Sequence, residues 1–467
     1  MQSPDIREKD NETVKQRYND FSDGAVWKVI MAQAVPLMLA QLVQLLYNVV
    51  DRIYIGHMNG GDSMVLTGVG ITFPIITFIT AFAALFGMGG VPLFSMSNGS
   101  GDTPRAERIL GNSTFLLLTS ACVLTVTGYV LMRPLLYLLG ASDNSYIYAA
   151  SYMKVYMAGT LFSMISTGLN GYISAQGAPK TGMLTTVIGA LLNVVLDPIF
   201  IFALGLGVTG AAAATVISQM VSAVWVVHFL VNKAPQRIRK ENVRPDAGIT
   251  KRICSLGASN FVMSGTTCFV QIVCNTTLRT FGGDLYIGIM TILNSVRDMV
   301  MLPIHGLISG SQPVMGFNYG AKKYDRVKSA INFDTAAGAV YTVVMWLIIV
   351  TFPKFWFSVF TDDPNVTLYG TEALKIYFFG FVFMSFQFAG QSTFQALGDA
   401  KHAIFFSLLR KAVIVIPLTL ILPRIGLGVN GVFIAEPISN AVGGLACFLT
   451  MRNTIYKKLT ADETTAA

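Results

Sequence analysis

Twelve apolar stretches, each long enough to cross a lipid bilayer, occupy nearly the whole of this chain. They run approximately over residues 28–56, 64–90, 107–132, 146–171, 182–204, 209–231, 252–278, 285–312, 328–351, 367–394, 402–422 and 428–451. A spanning helix needs about 20 mainly apolar residues. Inside hydrocarbon each backbone N–H and C=O must be satisfied within its own segment, which makes helices the structure such stretches adopt. Composition agrees, with 53% of residues hydrophobic and only 12% charged, against about 25% charged in a soluble domain. The expected fold is an all-α polytopic membrane protein with 12 transmembrane helices. Its connections leave no room for a soluble catalytic or signalling domain. The first 25 residues hold no apolar run, so no cleaved signal peptide is expected.

The formal net charge of +8 is distributed by topology. Placing the N-terminus in the cytoplasm puts the basic N-terminal tail on one face together with the loop between spans 6 and 7 (Lys233, Arg237, Arg239, Lys240, Arg244, Lys251, Arg252). Arg452, Lys457 and Lys458 join them, and the opposite face receives only Arg133, Arg279, Lys354 and Arg424. This is the positive-inside asymmetry, with both termini expected in the cytoplasm. The basic surplus is therefore not a nucleic-acid footprint, and no nucleic-acid partner is expected. The five cysteines all fall within spans at no metal-ligand spacing and read as small packing residues. No phosphate-binding glycine loop is present, and no cofactor is expected.

Shifted by 221 residues, the chain matches itself. Gly177, Lys180, Gly205, Gly207, Gly210 and Ser218 fall on Gly398, Lys401, Gly426, Gly428, Gly431 and Ser439. Gly99 and Arg105 fall on Gly320 and Arg326, while a shift of 222 carries Gly60-Gly61-Asp62 onto Gly282-Gly283-Asp284. The chain thus reads as two halves of six spans. Six is even, so both halves enter the membrane the same way round, as parallel repeats related by an axis along the membrane normal. That is a transporter architecture with substrate between the halves. The expected divisions are a cytoplasmic tail over 1–25, an N-lobe over 26–231, a linker over 232–251, a C-lobe over 252–452 and a second cytoplasmic tail over 453–467.

Asp51 and Asp197 stand inside apolar spans 1 and 5. A carboxylate at a helix centre costs roughly 2.5–3.5 kcal/mol on insertion scales, so such residues face polar interiors and act there. Both lie several residues before the outer end of spans running the same way. Asn193 sits one turn below Asp197, and Thr215, near the start of the returning span 6, lies at the same depth. Pro198 directly follows Asp197 and removes the donor to the Val194 carbonyl. A cluster of hard oxygens suits a small hard cation, and two neighbouring carboxyls in a poorly hydrated cavity suit a proton equally well. The repeat partners of Asp51, Asn193 and Asp197 are Val273, Ile414 and Leu418, so the cluster belongs to one half. The structural alternative is that Asp51 neutralises Arg52 and that Asp197 caps an irregularity at Pro198. Gln44 and Tyr47 on span 1 and Asn170 on span 4 are candidate substrate contacts. In the second half, Arg297-Asp298, Arg410-Lys411 and Glu436 are also intramembrane. Asp298 and Glu436 form a candidate second polar site, with ion pairing between helices as the alternative.

Two six-span halves, the NVVDRIYIG segment ending span 1, the segment SAQGAPKTGMLTTVIGALLNVVLDPIF over 174–200, and the loops GSGDTPRAER and GAKKYDRVK together resemble the MATE family of multidrug and toxic compound extrusion transporters. The resemblance covers residues 25–455. It implies a plasma (inner) membrane antiporter, not an enzyme, that expels organic cations in exchange for inward H⁺ or Na⁺ by rocking of two pseudo-twofold-related six-helix bundles. It further implies a coupling-cation site at Asp51, Asn193, Asp197 and Thr215, with Na⁺ as the one metal such a site would hold. Gln44, Tyr47 and Asn170 match its substrate-facing positions. A monomer in the lipid bilayer is expected. The rival reading is a flippase for a lipid-linked oligosaccharide from the same superfamily, which Arg297, Arg410 and Lys411 would suit.

Overall fold

The computed structural model describes residues 19–56, 58, 63–361 and 363–466, and all regular structure among them is helical. The glycine pair and aspartate at 60–62, the basic tail before residue 19 and the side chain of Arg52 lie outside the described residues. The first half contains α1 (Val26–Gly56), α2 (Ser63–Ala83), α3 (Val91–Gly99), α4 (Thr103–Val130), α5 (Met132–Leu138), α6 (Asp143–Ala158), α7 (Thr160–Ala175), α8 (Pro179–Pro198) and α9 (Gly207–His228). After these come α10 (Ala247–Gly320), α11 (Tyr324–Thr351), α12 (Pro353–Ser358), α13 (Pro364–Phe378), α14 (Met384–Ala396), α15 (Ala400–Leu408), α16 (Ile416–Ile421) and α17 (Gly428–Met451). By contacts the chain separates into two compact units, Met1–Asp23 with Met31–Gly257 and Gly24–Ile30 with Ala258–Ala467.

Among the described residues ten helices are long and apolar enough to cross a membrane. Two local features reconcile this number with twelve stretches. The 74-residue α10 is two helices meeting at Gly283, whose φ of 71° and ψ of −168° break the ladder, and each part carries one apolar stretch. The stretch at 146–171 is divided at Gly159 into α6 and α7, each of 16 residues and so too short to qualify alone. On α11, Val340, Val344 and Leu347 are 66%, 47% and 51% exposed on one helical face. A soluble protein would bury such a stripe, whereas lipid solvates it.

The internal repeat is visible in the backbone. Helices begin at 103 and 324, at 143 and 364, at 179 and 400, and at 207 and 428, each pair 221 residues apart. Gly177 and Gly398 both have φ of 82°, and Gly207 and Gly428 have φ of 55° and 52°, a left-handed conformation that disfavours any Cβ. The starts of α6 and α13 are capped by repeat-equivalent residues, Ser142 accepting from Ser145 N–H and Asp363 from Asn365 N–H. Helix contacts recur too, with α9 against α6 and α7 in the first unit and α17 against α13 and α14 in the second. A π turn at Ala84–Met88 gives the first half one extra residue, which accounts for the change of register from 222 to 221.

The segment joining spans 6 and 7 is fastened within the first unit rather than hanging free. Arg239 Nε lies 2.7 Å from Glu107 Oε2, Asn112 Nδ2 donates to Arg244 O at 3.2 Å, and Thr250 Oγ1 donates to Asn112 Oδ1 at 3.1 Å.

Candidate functional site

The first unit encloses a cavity of about 650 Å³ whose walls come from α1, α2, α6, α7, α8 and α9. Four helices line it with the same spacing. They contribute Gln44, Tyr47, Asn48 and Asp51, then Phe73, Ile76, Thr77 and Thr80, then Ser163, Ser166, Thr167 and Asn170, and finally Thr215, Ser218, Gln219 and Ser222. Each set is i, i+3, i+4, i+7, which is one face of an α-helix. Three of the four are wholly polar, so otherwise apolar spans turn hydrophilic stripes toward a common interior. Where α8 lines the cavity, Gly189 and Ala190 keep the wall low.

The four residues expected from sequence come together here, Asp51, Asn193 and Thr215 in the cavity lining and Asp197 behind them. Asp197 is fully buried, and Asn193, Thr215 and Asp51 are 1%, 5% and 9% exposed. Asn193 stands between its neighbours, with Nδ2 3.3 Å from both Asp197 Oδ1 and Thr215 Oγ1. With the amide turned over, its nitrogen donates to Asp197 Oδ2 at 2.8 Å and its oxygen accepts from Thr215 N–H at 3.3 Å, satisfying both ends. Thr215 Oγ1 donates to Ala211 O at 3.0 Å, which turns its lone pairs toward the cluster. The Asp51 carboxyl lies within hydrogen-bonding reach of Asp197. The hydroxyls of Tyr47 and Tyr152 approach Thr215 from the cavity side. Two carboxyls, an amide, a threonine hydroxyl and two phenols thus share one buried locus. The irregularity expected at Pro198 takes the form of a π turn over Ile199–Ala203, with Pro198 itself still helical.

The candidate substrate contacts fall on the same cavity. Gln44 Nε2 is 3.4 Å from Asn48 Oδ1, Tyr47 lies one turn from Asp51, and Asn170 Nδ2 donates to Gly182 O at 3.2 Å. Asn170 Oδ1, Ser218 Oγ and Gln219 Oε1 are buried with no hydrogen-bond partner among the described residues. Asn170 is expected from sequence, whereas Ser218, Gln219, Tyr152, Tyr156 and Ser163 are brought to the cavity by the fold. The signal was present as the i, i+3, i+4, i+7 polar stripes, which are legible once each span is read as a helix rather than as a hydropathy average.

The candidate second site resolves into separate ion pairs. Glu436 Oε1 accepts from Lys411 Nζ at 2.9 Å with both side chains buried, whereas Asp298, 70% exposed, pairs with Arg297 at 3.1 Å. Asp334 was missed. It is buried in α11 and accepts a 2.5 Å hydrogen bond from Ser311.

The fold and this polar interior define a membrane transporter, and comparison with known proteins places it. The MatE family profile matches residues 36–199 and 260–421, and the chain belongs to that family. Among curated proteins it is 25% identical to the multidrug export protein MepA of Staphylococcus aureus over 443 residues, covering 95% of this chain and 97% of the relative. A MepA of Staphylococcus haemolyticus is 24% identical over similar coverage. Among solved structures, a MATE transporter in a bent conformation superposes with a TM-score of 0.88 at 26% identity, covering 95% of this chain and 97% of the other. An outward-facing multidrug resistance MATE transporter of the MOP superfamily gives 0.87 at 26% identity over 94% and 97%. Both the helical polytopic fold and the family expected from sequence are borne out. The protein is a multi-pass membrane transporter and not an enzyme.

Proposed function

We propose that this protein is a multidrug efflux antiporter that expels organic cations in exchange for inward H⁺ or Na⁺. In this reading the coupling ion binds at Asp51, Asn193, Asp197 and Thr215. The observation that carries it is the buried meeting of Asp51 and Asp197 in the wall of a polar cavity, with Asn193 bridging Asp197 to Thr215. Two carboxyls this close need a cation between or beside them, and a shared proton and a bound Na⁺ both meet that need. Gln44, Tyr47 and Asn170 contact the drug, whose charge is compensated by the same carboxyls. Drug and coupling ion therefore exclude one another, since Coulomb repulsion disfavours two cations in one poorly hydrated lobe. That exclusion converts an ion gradient into export when residues 26–231 and 252–452 rock as two lobes. The name of the MepA relatives, multidrug export protein, supports drugs as the cargo.

The protein acts as a monomer in the plasma membrane, with both termini and the 232–251 segment in the cytoplasm. A Lys240→Cys variant should resist a membrane-impermeant thiol reagent in intact cells, and ready labelling would reverse the orientation. The decisive measurement is uptake of a fluorescent organic cation into inside-out vesicles with ΔpH and ΔNa⁺ imposed separately. Uptake driven by one gradient identifies the ion, while indifference to both removes the antiport reading. In detergent, drug affinity should fall as the coupling ion is added, and that dependence should vanish in Asp197→Asn.

A further inference from the structure

The second unit contains a positive charge that the proposed ion site does not use. Lys411 and Glu436 neutralise one another at 2.9 Å. Arg297 has Asp298 at 3.1 Å and donates to Tyr377 Oη at 2.8 Å. Arg410, half-buried, donates through Nη1 to Asn440 Oδ1 at 2.9 Å, and among the described residues no carboxylate stands within ion-pairing distance of it. Two cations and one carboxylate at 410, 411 and 436 leave one net positive charge in spans 11 and 12.

The repeat indicates what this charge stands beside. Arg410 and Lys411 correspond to Gly189 and Ala190, which line the cavity of the first unit. The correspondence holds in contacts as well as in sequence. A Cβ added to Gly189 would meet Ser222 Oγ at 2.4 Å, and one added to Gly443, the partner of Ser222, would meet Arg410 Cγ at 3.3 Å. Ser439, the partner of lining residue Ser218, donates to Arg410 O at 2.7 Å. Glu436 and Asn440 are likewise the partners of lining residues Thr215 and Gln219. The second unit thus packs spans 11 and 12 through the same positions as spans 5 and 6, with two cationic side chains, on a π segment over Leu409–Val415, where the first has glycine and alanine on an α-helix.

A guanidinium inside a membrane-spanning segment is expensive and is retained where it acts. Its planar fork matches the paired oxygens of a carboxylate or phosphate, and here one donor is held by Asn440 while the others remain for a ligand. We propose that Arg410, positioned by Asn440, is a subsite for an oxyanion group on the transported molecule. The proposal rests on the chain being a transporter and extends its cargo from simple organic cations to amphiphiles that carry a carboxylate or phosphate. Glu436 contributes by neutralising Lys411, so that the site keeps a single positive charge.

Isothermal titration of the full chain in detergent with rhodamine B, its ethyl ester and farnesyl phosphate tests this. The wild type should favour the free acid over the ester. Arg410→Gln should lower that preference about tenfold, the worth of a charge-assisted hydrogen bond. A selective loss for rhodamine B identifies soluble carboxylates as the source of the oxyanion, and a selective loss for farnesyl phosphate identifies a lipid head group. Asn440→Asp, which gives Arg410 its own carboxylate without a change of size, should produce the same loss and serves if Arg410→Gln does not fold. Equal weakening of acid and ester, or no weakening in a folded variant, overturns the proposal. Cation export is judged separately, because failure of the wild type to export the ester defeats that reading whatever Arg410 does.

Discussion

The two halves share a backbone and differ in what it carries. Helices start 221 residues apart on the same turns, and Gly177 and Gly398 hold the same left-handed conformation. Yet at matching positions the first half has Gly189, Ala190 and Thr215 around open space, while the second has Arg410, Lys411 and Glu436. The frame is set by apolar faces, caps and turn glycines, which tolerate little change. The inward stripe is buried in both halves, but its polar groups are satisfied differently, by a shared cluster in the first half and by the Lys411–Glu436 ion pair in the second. Polar architecture alone would recur in both halves, and the aspartates occur in only one.

The largest expected effect separates the halves outright. Asp197→Asn should abolish ion-driven export while folded yield persists, because the change removes charge and leaves shape. The same outcome is expected for Asp51→Asn, and normal drug resistance in both single variants would defeat the ion-site proposal. A collapse of folded yield would instead assign the pair a structural role. Next comes stability of the second half. Lys411→Met strands Glu436 as a buried charge and should cost about 3–5 kcal/mol, read as a lowered denaturation midpoint in detergent. Adding Glu436→Gln should restore most of it, and a Lys411→Met protein as stable as wild type would show that the pair is not closed.

A subtler comparison uses repeat partners. Thr215→Val removes one hydroxyl from the cluster, and an effect near 1 kcal/mol corresponds to roughly fivefold weaker ion binding. Glu436→Gln, at the equivalent position, should leave ion affinity within error. Equal effects from both would mean that the ion senses the two halves alike. The smallest effect is expected at Arg239, whose partner Glu107 is buried but whose own side chain is 56% exposed. Arg239→Ala should cost less than about 1 kcal/mol, and a larger loss would make the 6–7 segment a structural brace of the first unit.

Hydropathy, helical period and an internal repeat are local or periodic properties of a chain. For that reason the twelve stretches, the all-helical class and the family were legible before any coordinates, as were the carboxylates that a bilayer would reject unless they were used. The rise of a helix and the direction of each span suffice to put Asp51, Asn193, Asp197 and Thr215 at one level. Rotation about each helix axis was not available in that way, because packing sets it. Tertiary structure therefore decided that Tyr152, Ser218 and Gln219 join the cavity, that Asn193 bridges Asp197 and Thr215, and that Lys411 rather than Arg410 takes Glu436. It also decided that Asp334 is buried against Ser311. Sequence spacing determines which residues share a face, and only the packing of helices determines what that face meets.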